Sequence, residues 1–89
     1  MEIKLFSPFD KLAGEKNIVI TTKEQFTVKD LINFLCLNYP QIKNFIGNMK
    51  IEDAVYWRLS IVRDGVLLKA EDKLRNEDKI FIITPIMGG

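Results

Sequence analysis

The residues Pro85–Ile86–Met87–Gly88–Gly89 close the sequence, and their types and spacing suit chemistry done outside a folded core. Pro85 has no N–H for a sheet ladder, so strand pairing is expected to stop there. Five extended residues reach ~16–18 Å beyond the sheet. Gly88 and Gly89 lack β-carbons, so they can thread a narrow channel and adopt backbone angles that other residues avoid. A terminal carboxyl on Gly89 is sterically open for chemistry done by another protein. Taken alone this pattern is weak, because a frayed end that finishes in two glycines is the bland alternative.

Other routes to chemistry are narrow. The 89 residues include no histidine, which removes the commonest metal ligand and the usual general base. Cys36 is the single cysteine. It can form no disulfide within the chain, and no zinc or iron–sulfur site is expected around it. It reads as a half-buried helical residue, with a sulfur-relay role as the alternative. A lone thiol fits a reducing cytoplasm. Thirteen basic and twelve acidic side chains give a net charge of +1, without the basic stripe of a nucleic-acid binder. No run approaches a membrane span, and Met1 leads straight into a strand-like stretch rather than a signal peptide. At 47% hydrophobic and 28% charged, the composition is that of a globular domain. A domain this small buries only ~60–65% of its unfolded surface and has little room for a catalytic cleft. A carrier or binding module is therefore expected, not an enzyme.

The elements that must position the tail read as one domain over residues 1–84, with the functional tail at 85–89. Glu2–Phe6 alternates charged and apolar residues, as a half-buried strand does. Ser7–Pro8 ends it, and Leu12–Ala13–Gly14 falls in the turn before a second strand in Asn17–Thr22, where Ile18, Val19 and Ile20 are β-branched. A helix follows. Thr27 is its N-cap and Asp30 completes a capping box. Val28, Leu31, Ile32, Leu35 and Tyr39 form one buried stripe, and Pro40 stops the helix at Tyr39. Phe34 and Leu37 lie off the stripe. Ile42, Phe45 and Ile46 are expected to cover them before a break at Gly47–Asn48, with an exposed apolar patch as the alternative.

Ala54–Arg63 alternates and reads as a strand, with Val55, Trp57, Leu59 and Ile61 on one face. Asp64–Gly65 signals a hairpin returning through Val66–Leu68. Leu74 reads as an apolar plug in a polar connector. Asn76–Glu77–Asp78 turns the chain into Lys79–Thr84, whose run Ile80–Phe81–Ile82–Ile83 suits a central strand buried on both faces. The order β-β-α-β-β-β, with one main helix over a mixed α+β sheet, is the β-grasp (ubiquitin-like) arrangement. The first and last strands are expected as parallel neighbours.

These residues carry a resemblance. Ile3–Phe6 with Leu12–Ala13–Gly14, Thr27–Val28 followed by Leu31, Asp64–Gly65, and Leu74 through Asp78 into Ile80–Gly89 resemble the MoaD/ThiS family of sulfur carriers. The likeness covers the chain except about residues 39–57. The Pro-x-x-Gly-Gly ending and the Leu-Ala-Gly turn are closer to the molybdopterin synthase small subunit (MoaD type) than to the thiazole carrier.

The resemblance implies that an adenylating enzyme of the MoeB/ThiF kind uses ATP to activate the carboxylate of Gly89. Sulfur then converts it to a thiocarboxylate. In the molybdopterin branch the tail enters a MoaE-like large subunit of molybdopterin synthase and gives its sulfur to the pterin precursor. Gly88 keeps the tail thin, and the chain itself binds no cofactor. The same likeness places Phe6, Leu67, Thr84, Pro85, Ile86 and Met87 on the partner-facing surface, with core packing as the alternative for Phe6 and Leu67. Thr84 stands where the family often has an aromatic residue or proline, and Met87 where it often has a smaller residue. Two other readings stay open. One is a carrier or modifier for another pathway (thiazole synthesis, tRNA thiolation or protein conjugation). The other is a β-grasp interaction module with an inert terminus.

Overall fold

The structure is a computed structural model that describes residues 1–22 and 25–85. The alternating N-terminal run forms β1 (Glu2–Leu5), with Ile3 and Leu5 buried and Glu2 and Lys4 exposed. It pairs antiparallel with β2 (Asn17–Val19), placing Ile3 opposite Ile18. The link between them is more than a turn. Phe9–Ala13 folds into a short helix, α1, that sends Phe9 fully into the core. Its end at Gly14 has φ of 74°, a left-handed conformation that glycine adopts without penalty. The second strand is shorter than expected, although Ile20 stays buried and its N–H donates to the Met1 carbonyl at 2.9 Å.

The main helix, α2 (Val28–Asn38), starts at the expected capping box. The Thr27 hydroxyl accepts from the Asp30 N–H at 3.2 Å, and the Asp30 carboxylate accepts from the Thr27 N–H at 2.9 Å. Val28, Leu31, Ile32 and Leu35 are buried, and Tyr39 is half-buried with extended backbone. Pro40 both ends α2 and begins α3 (Pro40–Ile46), since the first helical position needs no N–H donor. Ile42 and Ile46 enter the core, but they do not cover the whole off-stripe surface of α2. Phe34 packs against the core while Leu37 stays 85% exposed. Phe45 instead meets Phe9 edge-to-face, at 5.4 Å between ring centroids.

The strand expected from Ala54 starts late. Residues 54–59 are not strand: Ile51–Trp57 forms a helix, α4, and strand structure begins only at β3 (Ser60–Arg63). Ala54 and Val55 are buried and Ile51 is packed beside them. That i, i+3, i+4 set is a helical face that the Val55–Trp57–Leu59 alternation had masked. Beyond it Asp64 (φ 53°) and Gly65 (φ 76°) form the tight turn into β4 (Val66–Leu67), both left-handed as the two-residue hairpin requires.

The last strand, β5 (Lys79–Ile83), lies at the centre of the five-stranded sheet, in the order β2-β1-β5-β3-β4. It runs parallel to β1 and antiparallel to β3. Helices cover one face only. Ile80 and Ile82 are buried, whereas Phe81 and Ile83 are half-buried, so the expected burial on both faces is replaced by one covered and one open face. Leu74 plugs the core as expected. The Arg63 guanidinium ties the connector down by donating to the Lys73 carbonyl and the Asp78 carboxylate, both at 2.8 Å.

Candidate functional site

The register builds the site. Lys4 lies beside Phe81, Phe81 opposite Val62, and Val62 opposite Leu67. Residues paired across strands project to the same face, so these four form a row over the open side of the sheet. Phe6 follows β1, and its N–H donates to the Ile82 carbonyl at 3.1 Å. Its ring meets Phe81 edge-to-face, with centroids 5.8 Å apart and planes at 89°. The Lys4 ammonium lies 6.0 Å from the Phe6 ring centroid, within cation–π range.

Phe6 is 42% exposed and Leu67 50% exposed, so neither is a core residue. Thr84 is exposed and Pro85 half-buried, just past the end of β5. The chain therefore leaves the sheet beside the Phe6–Phe81 pair. Ile86, Met87, Gly88 and Gly89 lie outside the described residues. Sequence reasoning missed Phe81, Val62 and Ile83 on this face. Period-two reading of Lys79–Phe81–Ile83 would have found them, had the strand been taken as covered on one side.

No other described group forms a reactive cluster. Cys36 is half-buried, and burial pushes its thiol above the ordinary value against a smaller opposing effect of Lys43. A protonated thiol is a poor nucleophile. The Tyr39 hydroxyl donates to the Glu15 carboxylate. This bond, helped by burial and by the charge of Glu15, pushes the phenol up to about 12. The pair clasps the α2–α3 junction to the segment after α1. Burial would raise the Asp78 carboxyl, but the Arg75 N–H and the Arg63 guanidinium outweigh it and hold the group below its ordinary range. Among the described residues, no three His, Cys, Asp or Glu side chains cluster as metal ligands. None of the helices there is long and apolar enough to cross a membrane.

A five-stranded mixed sheet with helices on one face and the last strand at its centre is the ubiquitin-like β-grasp fold. The chain belongs to the ThiS family, whose profile matches residues 3–89. Family members work with E1-like activating enzymes and further partner enzymes.

Solved structures agree on the fold. The small archaeal modifier protein SAMP1 of Haloferax volcanii superposes with a TM-score of 0.77 at 22% identity, over 100% of this chain and 98% of that one. A Pyrococcus furiosus chain described as a molybdopterin converting factor, subunit 1, gives 0.76 at 26% identity, over 96% and 95%. Small archaeal modifier protein 1 of Methanosarcina acetivorans gives 0.70 at 25% identity, over 99% and 94%. No curated protein matches significantly.

Proposed function

We propose that this chain is a sulfur carrier for molybdopterin synthesis whose working group is the carboxylate of Gly89. The observation that carries the proposal is where the central strand ends. β5 closes at Ile83, followed by Thr84 and Pro85, in a sheet whose open apolar face bears Phe6, Phe81 and Leu67. A partner that grips this face meets the chain where it leaves β5.

Activation proceeds by attack of the carboxylate on ATP, which forms an acyl-adenylate and releases pyrophosphate. A sulfide-level nucleophile then displaces AMP and leaves a thiocarboxylate. AMP is a good leaving group and carboxylate oxygen is not, so the ATP is consumed in making the acyl group transferable. The carrier supplies an acyl group and its position, while an adenylating enzyme of the MoeB/ThiF kind and a MoaE-like large subunit supply the chemistry. The molybdopterin assignment is supported by the Pro85-x-x-Gly88-Gly89 ending and by the 26% identity to the Pyrococcus furiosus chain. The 25% identity to a small archaeal modifier favours a second reading, in which the same activated Gly89 is joined to protein amines.

Intact-protein mass spectrometry after incubation with ATP, the activating enzyme and a sulfur donor tests the carrier reading. The expected result is replacement of one oxygen by sulfur at Gly89, lost when Gly88–Gly89 is deleted. No modification in the presence of a competent activating enzyme would refute it. Transfer of the sulfur to a pterin precursor with the large subunit, against formation of an isopeptide with protein lysines, separates the two branches.

A further inference from the structure

We draw no further inference here: the strongest candidate, the exposed edge-to-face pair of Tyr56 and Trp57 on the solvent side of α4, is an unpartnered aromatic patch, and nothing in the structure shows what covers it.

Discussion

Replacing Phe6 by Ala should separate docking from folding. Truncating a fully buried phenylalanine costs ~3–5 kcal/mol, part of it for the cavity left behind. Phe6 is 42% exposed, so its removal opens a surface notch that water fills, and the cavity part largely disappears. What remains is the covered part of the ring and its edge-to-face contact with Phe81, a contact of the kind worth ~0.5–1.5 kcal/mol. The expected loss of stability is about 1–2 kcal/mol. Phe9→Ala provides the reference: that ring is fully buried and should lose ~3–5 kcal/mol. With a urea slope of ~1 kcal/mol/M for a small domain, Phe6→Ala should lower the midpoint followed by far-UV circular dichroism by about 1–2 M. Affinity for the activating enzyme should fall roughly 30-fold or more, as for a central aromatic anchor. A stability loss matching that of Phe9→Ala, or unchanged affinity alongside a destabilised fold, would refute the placement of Phe6 on a docking face.

Thr27→Ala removes the hydroxyl that accepts from the Asp30 N–H and should cost ~1 kcal/mol. Thermal unfolding and amide exchange at the first turn of α2 check it, and unchanged exchange there would count against the cap. Asp78 has a folded-state pKa below its ordinary 3.8, so its charged form stabilises the fold above that pH and the contribution is lost as pH falls through the lower folded value. In acid titrations the wild type should therefore converge on Asp78→Asn over that window. A wild-type advantage that persists to about pH 1 contradicts the assignment.

Much of the fold was legible where local and tertiary preferences agree. Thr27, Asp30 and the stripe from Val28 to Leu35 specify α2 through caps and period, and Asp64–Gly65 specifies a turn that needs two left-handed residues. The miss at 54–59 came from a segment that satisfies two periods at once. Val55, Trp57 and Leu59 alternate, yet packing selected the helical set Ile51, Ala54 and Val55, with no side-chain cap to mark its start at Lys50. Tertiary burial overrode a pattern that local reading could not break. The open face was half legible for a related reason. An unbroken apolar run in β5 does not reveal whether one layer of helices or two will cover it, so Phe81 and Ile83 were assigned to the core until the sheet showed a bare side. Phe6 and Leu67 were singled out by resemblance alone, and their exposure became evident only in three dimensions.

The placement of β5 between β1 and β3 also has a mechanical meaning. A pull applied beyond Ile83 along the axis of β5 meets ladders on both sides that lie across it. Their hydrogen bonds are loaded in shear and must yield together, whereas an edge strand could be peeled away rung by rung. The C-terminal end of β5 is thus rooted in the part of the sheet that best resists traction.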